Sequence, residues 1–308
     1  MSVEFKKNFN VKNLTSFKIG GGISKIYFPK SIKEFEEIAA SEDFIEVFGN
    51  WSNTLVSSDG YDGVVILTSK MDTFGIEEDT IFFADCGAKG PKLAQIAQIA
   101  GLSGFEFMIG FPGSLGGNIY MNASAHGQCI SDYLENVVCW SKEKGIFSLK
   151  KDEMEFGYRT SVCQKENIVV LGAEFKLKKK SPEEIKAKME ENLAFRKSHQ
   201  PNLAIPNCGS VFKNPEGNSA GSLLDEVGAK NFVSGGVKVW ENHANFIVNP
   251  DKTGTSIDVL ELMYKMFTTV KEKYKIELRP EVKYLGNKNK REDELCKILN
   301  IKQIKMQK

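Results

Sequence analysis

Ser210 stands in the run Gly209-Ser210-Val211-Phe212-Lys213-Asn214-Pro215, where a small hydroxyl sits beside a glycine with a lysine three residues on. A rigid Asn-Pro end follows, so the turn can present the hydroxyl to a pocket. The run is not a GxSxG elbow and no His or Asp motif accompanies it, which disfavours serine-hydrolase chemistry; a cap or turn serine is the other reading. Arg159 follows an aromatic pair in Phe156-Gly157-Tyr158-Arg159-Thr160-Ser161. Its planar guanidinium suits bidentate capture of a carboxylate, or a surface or interdomain ion pair. Two glycine-bearing loops, Gly49-Asn50-Trp51-Ser52-Asn53-Thr54 and Gly110-Phe111-Pro112-Gly113-Ser114-Leu115-Gly116-Gly117, expose backbone N–H groups and Ser/Asn donors of the kind that nest anionic oxygens. Neither is a GxGxxG or GxxxxGK[ST] loop, and either alone is compatible with a plain turn. Glu281, one acidic residue among 40, is not singled out by its type.

Other chemistries are disfavoured by spacing. The six cysteines, Cys86, Cys129, Cys139, Cys163, Cys208 and Cys296, contain no CxxC pair, and the three histidines, His126, His199 and His243, form no HExxH or HxH. A zinc site is therefore not expected, and the thiols read as buried or incidental. The 41 Lys+Arg nearly cancel the 40 Asp+Glu, which argues against a nucleic-acid binder. No apolar run reaches the length of a membrane span, and the polar stretch Met1–Asn13 carries no signal-peptide pattern. A cytoplasmic protein with neither nucleic-acid nor membrane partner is expected.

The elements that must carry these residues alternate early and turn strand-rich later. Strands are expected over 24–29, 44–48, 63–68 and 80–85, with helices over 31–40, capped by Ser31, and 92–99. Strands over 136–141, 146–149 and 168–177 have antiparallel spacing. Ser181-Pro182-Glu183-Glu184 opens a helix to Ser198, with Ile185, Met189, Leu193 and Ala194 as its apolar stripe. A Pro/Asn-rich linker, Pro201–Asn207, marks the main boundary. Beyond it come a helix over 220–227, strands over 237–239 and 245–248, a helix over 256–274 and a strand over 282–285. The architecture is α+β, not a regular βαβ array.

Taken in order, these motifs resemble the UDP-N-acetylenolpyruvoylglucosamine reductase family. The resemblance covers about seven-eighths of the chain, from Asn13 to Val282. It is carried by SFKIGG, GNWSNTLV, GFPGSLGGNIYMNASAHG, FGYRTS, Arg196 with Gln200-Pro201, GSVFKNP, GAKNF, HANFIVN and LRPEV. It implies an FAD-binding fold of the vanillyl-alcohol oxidase type, with a smaller C-terminal α+β substrate domain. The implied division is 1–73 and 74–200 for two FAD-binding subdomains, 201–286 for the substrate domain and 287–308 for an extra tail. The implied reaction is reduction of FAD by NADPH, then hydride transfer to the enolpyruvyl group of UDP-N-acetylglucosamine enolpyruvate. The product would be UDP-N-acetylmuramate, a peptidoglycan precursor.

Carried over position by position, Ser210 matches the proton donor, and Arg159 and Glu281 match the pair acting on the substrate's carboxylate end. Gly49, Asn50, Trp51, Ser52, Asn53, Gly110, Pro112, Gly113, Ser114, Gly116, Gly117 and Asn122 match FAD-holding positions, and Tyr158, Lys213 and Asn214 substrate contacts. No metal is implied, the FAD is expected to be non-covalent because the first loop has no His or Cys, and a monomer is expected. The chain departs from the family's usual pattern at Asn50 and Trp51, where glycines are common, and at Trp240, where a small residue is usual. Lengths around GSVFKNP match the shorter, second type of the family. The tail after Gly286 lies outside the pattern; its amphipathic stretch 292–304 is expected to be a solvated or weakly docked helix, with a subunit contact as the alternative. Two other readings compete: an oxidase of the same flavin fold, often with covalent FAD, and a non-catalytic nucleotide-binding protein.

Overall fold

The computed structural model describes residues 3–301. Contacts divide the chain into two compact units, neither of them one continuous stretch. Among the described residues the first comprises 3–5, 27–50 and 66–196; the second comprises 6–26, 51–65 and 197–301. The contiguous division expected from the sequence differs here. Residues 6–26 and 51–65 group with the C-terminal part because Phe17, Ile19 and Leu55 are buried in one core with Val211, Met263 and Tyr284.

The first unit is built on a five-stranded sheet. Its strands run in the order Gly145–Lys150, Leu134–Ser141, Val169–Lys176, Ile81–Asp85 and Phe74–Glu77. Every neighbouring pair is antiparallel; the spacing predicts this for the three strands beyond residue 134, whereas Phe74–Glu77 is not among the expected strands. Two bulges interrupt the pairing of Leu134–Ser141 with Val169–Lys176, which shifts the alternation of side chains along that strand. Helix Ile32–Ser41 begins where Ser31 caps it, the Ser31 Oγ accepting from Glu34 N at 3.2 Å. The Phe35 ring meets Trp140 edge-on at 5.5 Å. In helix Pro182–His199 the buried positions are Ile185, Met189 and Asn192, not the stripe expected through Leu193. Leu193 is exposed, and Asn192 turns inward because its amide donates to the Glu106 carbonyl at 3.0 Å.

The second unit holds an antiparallel four-stranded sheet ordered Asn207–Ser210, Phe246–Val248, Val237–Val239 and Val233–Ser234. Helix Ser256–Tyr274 supplies Val259, Leu260, Met263, Met266 and Val270 to its core. Thr255 caps that helix with a reciprocal Asp258 contact. A separate two-stranded ribbon pairs Thr54–Val56 with Lys283–Leu285 in parallel.

The C-terminal segment corrects an expectation. Helix Lys290–Ile298 is not a solvated appendage: Leu295, Cys296, Leu299 and Ile301 are buried in the core of the second unit. The part of the expected helix beyond Ile301 lies outside the described residues.

Candidate active site

Within the first unit, Gly49, which opens the first loop, meets the second loop. A Cβ added at Gly49 would fall 2.0 Å from Ser114 Oγ, so only glycine lets the first loop close on the second. Ser114 is buried and bridges to Lys89. The turn 86–90 is stitched to the same loop: Gly116 N donates to Cys86 O at 2.8 Å and Leu115 N to Ala88 O at 2.8 Å. A Cβ on Gly116 would lie 2.8 Å from Cys86 Cβ. Burial pushes the Cys86 thiol up to about 12, so it remains a thiol at neutral pH. Gly110 leaves room for Arg196, whose Cδ would be 2.6 Å from an added Cβ.

Two buried amides follow the second loop, Asn118 in helix Leu115–Tyr120 and Asn122 just beyond it. Asn118 Nδ2 and Asn122 Oδ1 have no hydrogen-bond partner among the described residues. Buried polar groups are almost always paired, so an unmet donor and an unmet acceptor at one loop fit a ligand presenting both. FAD does so, with phosphate and ring carbonyl acceptors and with hydroxyl and ring N–H donors. The residues present therefore fit the cofactor. Asn118 is a candidate site residue that sequence reasoning missed, although it directly follows Gly116-Gly117.

Arg159 is held by a strained turn in the same unit. Its φ is 56°, a left-handed value that costs a non-glycine residue of the order of 1 kcal/mol or more. Gly157 and Thr160 exchange backbone hydrogen bonds at 3.2 and 3.3 Å across it. Gln164 Nε2 donates to Arg159 O at 3.1 Å and to Tyr120 O at 2.8 Å, while Ser161 Oγ also donates to Tyr120 O. Asn122 Nδ2 donates to Gly157 O at 3.1 Å. The turn is thus fastened to the segment leaving the second glycine loop. Arg159 Nη1 donates to Ser124 Oγ at 2.8 Å, and the guanidinium lies 5.3 Å from the ring of Tyr158, which is 56% exposed.

The second unit gathers Ser210 and Glu281. Asn207–Ser210 pairs with Phe246–Val248 through an irregularity between Asn207 and Ser210. Within it, Gly209 has φ 80° and its N donates to Asn207 Oδ1 at 2.9 Å. A bulge of this type re-aims the residue that follows, here Ser210. Asn245 clasps the next residues: Phe212 N donates to its Oδ1 at 3.0 Å, and its Nδ2 donates to Phe212 O at 2.8 Å. Glu281 N donates to Val211 O at 2.8 Å and Lys213 N to Arg279 O at 2.8 Å. The Glu281 and Ser210 segments therefore run side by side. Burial pushes the Cys208 thiol well up, and the nearby Glu281 charge adds to this. Asn53 Nδ2 donates to Glu281 O at 3.1 Å, joining the end of the first loop to the same group. Ser16 Oγ donates to the carbonyls of Trp51 and Ser52 at 3.2 and 3.3 Å. Asn214, expected to touch substrate, uses its Oδ1 to accept from Ala220 N at the start of helix Ala220–Glu226.

Two family models match the chain. "FAD binding domain" covers residues 25–143, and "UDP-N-acetylenolpyruvoylglucosamine reductase, C-terminal domain" covers residues 200–285. A UDP-N-acetylenolpyruvoylglucosamine reductase of Caldicellulosiruptor saccharolyticus is 39% identical over 294 residues, 93% of each chain. The chain belongs to the UDP-N-acetylenolpyruvoylglucosamine reductase family. The reductase of Lactococcus lactis subsp. cremoris is 39% identical over 287 residues, 92% of this chain and 95% of its own. The crystal structure of the Thermus caldophilus reductase superposes with a TM-score of 0.78 at 32% identity, covering 92% of this chain and 98% of that one. The α+β, FAD-binding architecture expected from the motifs is that of this reductase family, whose members are FAD-dependent oxidoreductases. The helix Lys290–Ile298 lies beyond the C-terminal family match. Among the described residues no helix is long and apolar enough to cross a membrane.

Proposed function

We propose that this protein uses NADPH to reduce the enolpyruvyl group of UDP-N-acetylglucosamine enolpyruvate, yielding UDP-N-acetylmuramate for peptidoglycan synthesis. It acts in the cytoplasm, as a monomer, on a small nucleotide-sugar substrate. The observation that carries this reading is the pairing of the Ser210 and Glu281 segments through Val211, with Ser210 re-aimed by the Gly209 bulge.

Gly49, Ser114, Gly116, Asn118 and Asn122 are the residues that would hold FAD, with Asn50, Trp51, Ser52, Asn53, Gly110, Pro112, Gly113 and Gly117 completing its loops. When bound, the flavin supplies the hydride that the enolpyruvyl double bond must accept. Addition of hydride to the methylene carbon leaves negative charge on the adjoining carbon and its carboxylate. Arg159, a permanent cation, lowers the energy of that charge. Ser210 then delivers the proton that completes the reduction and recovers its own from water. A serine is a weak acid, but the carbanion-like centre is a strong base, so the transfer runs downhill. Glu281 orients or proton-couples the substrate carboxylate, Lys213 steadies the transient Ser210 alkoxide, and Tyr158 and Asn214 line the substrate end.

The test is product formation by the purified holoprotein with NADPH and the enolpyruvyl nucleotide sugar. Mass spectrometry should find the product heavier than the substrate by two hydrogens. Oxidation of NADPH with the enolpyruvyl compound recovered unchanged would refute the assignment.

A further inference from the structure

The ribbon of Thr54–Val56 and Lys283–Leu285, which begins two residues after Glu281, is clamped at its far end by one buried carboxylate. Glu292, in the first turn of helix Lys290–Ile298, is 1% exposed. Ser57 Oγ donates to it at 2.7 Å, and the hydroxyls of Ser256 and Tyr284 donate to it as well. These donors come from three segments far apart in sequence. Burying a carboxylate costs several kcal/mol unless its oxygens are fully met, and an apolar side chain would fill the same space more cheaply. What the carboxylate adds is a fixed geometry for the three hydroxyls.

That geometry controls the ribbon. Ser57 directly follows Thr54–Val56, and Tyr284 is the middle residue of Lys283–Leu285. The strands pair in the register Lys283 with Thr54, Tyr284 with Leu55 and Leu285 with Val56. Ser57 N donates to Leu285 O at 2.8 Å at the clamped end. At the other end, Lys283 N donates to Asn53 O at 3.0 Å and Asn53 Nδ2 holds Glu281 O. A two-stranded ribbon this short does not hold its register unaided, and a slip of one residue would turn every side chain to the opposite face. The fit at the clamp is tight: a Cβ on Gly286 would lie 2.3 Å from the Tyr284 hydroxyl oxygen and 2.6 Å from Ser57 Cβ. Asn289 reinforces it, accepting from Arg291 N and Glu292 N and donating to Asp59 at 2.8 Å.

We propose that Glu292 is a positioning residue of the reductase: by gathering Ser57, Ser256 and Tyr284 it sets the register of the ribbon that places Asn53 and Glu281. The inference rests on the reading of Glu281 given above. It also makes the C-terminal helix part of the machinery of the substrate step.

The test compares Glu292→Leu, Glu292→Gln and Tyr284→Phe in the FAD-loaded, full-length protein. Amide hydrogen exchange is read at Ser57, Glu281 and Lys283, with Val239 and Phe246 of the four-stranded sheet as internal references. In Glu292→Leu, exchange at the first three should rise roughly tenfold or more while the references stay within about twofold. Flavin reoxidation by the enolpyruvyl substrate should slow by roughly tenfold or more, and flavin reduction by NADPH by a clearly smaller factor. Glu292→Gln should restore both readouts, because its amide still accepts and the hydroxyls rotate to meet its donor. Tyr284→Phe, which removes a single donor, should shift the same amides by a smaller factor and covers the case in which the leucine variant does not fold. A uniform rise in exchange across the unit, no rise at Glu281 and Lys283, or no rescue by glutamine would overturn the proposal. If the wild type itself is not reoxidised by the enolpyruvyl compound, the functional reading falls, while the exchange pattern still decides whether Glu292 sets the ribbon.

Discussion

Replacing Leu295 by alanine tests whether the C-terminal helix belongs to the core. Leu295 is 0% exposed and packs in the cluster that contains Tyr284 and Met263. A buried Leu→Ala change costs about 2–5 kcal/mol, lost transfer energy plus the cavity left behind. Taking about 3 kcal/mol, and about 2–4 °C per kcal/mol for a unit of this size, the holoprotein should melt roughly 6–12 °C lower. Ile298, on the same helix but 49% exposed, is the control; its alanine variant should shift the midpoint by no more than about 2 °C. Differential scanning calorimetry of both variants beside the wild type reads the difference directly. Cutting the chain after Gly286 is harsher. It removes the buried side chains of Leu295, Cys296, Leu299 and Ile301, worth about 1.5–3 kcal/mol for each of the larger ones, together with the Glu292 clamp. The loss is comparable to the whole stability of an ordinary domain, about 5–15 kcal/mol, so the shortened chain should not fold. A midpoint for Leu295→Ala within about 2 °C of wild type, or a truncated chain that keeps flavin and turnover, would refute the reasoning.

Other perturbations separate the roles assigned above. Ser210→Ala should leave flavin reduction by NADPH intact and slow reoxidation by the enolpyruvyl substrate roughly a hundred- to ten-thousand-fold in stopped-flow traces; an equal fall in both half-reactions would make Ser210 structural. Arg159→Lys keeps the charge but loses the planar fork, so the substrate half-reaction should slow about tenfold or more, with flavin content unchanged by absorbance. Gly49→Ala drives a methyl to 2.0 Å from Ser114 Oγ and should strip the protein of FAD. Adding Ser114→Ala removes that oxygen, leaves the nearest contact at 3.1 Å and should recover part of the flavin. Burial raises the Glu46 carboxyl from 4.5 to about 7, so the folded state favours the protonated form. That contribution to stability is complete below the unfolded value and is lost as pH rises towards about 7. Glu46→Gln should therefore be more stable than wild type above about pH 8, by of the order of 1–3 kcal/mol, with the difference vanishing near pH 4 in denaturant titrations.

Local signals in the sequence located most helices closely. The Ser31 cap and the apolar spacing after it predict 31–40 against the observed Ile32–Ser41, and Ser256–Tyr274 is found as expected. Strand Gly145–Lys150 is legible because it alternates residue by residue, whereas Val169–Lys176, buried over four consecutive positions, reads as a strand from its apolar run. What local signals miss depends on partners far along the chain. Thr54–Val56 is three residues long and becomes a strand only because Lys283–Leu285 lies beside it. Glu292 looks like one more charge on a polar helix face until Ser57, Ser256 and Tyr284 converge on it. Asn192 turns inward for the same kind of reason, through a carbonyl 86 residues away in sequence. Among the proposed site residues, Ser210 and Arg159 were suggested by their neighbours, whereas Glu281 needed the family resemblance. Asn118 and Asn245 show themselves only in the folded chain, the first by an unmet amide and the second by clasping Phe212.

The central claim is tested most directly by one anaerobic measurement on the wild-type holoprotein. NADPH is added until the flavin absorbance is bleached, and the enolpyruvyl nucleotide sugar is then titrated in. The account predicts that the oxidised flavin spectrum returns with one equivalent of substrate and that an equal amount of UDP-N-acetylmuramate appears. A flavin that stays bleached in the presence of excess enolpyruvyl substrate, yet is reoxidised at once by air, would contradict it.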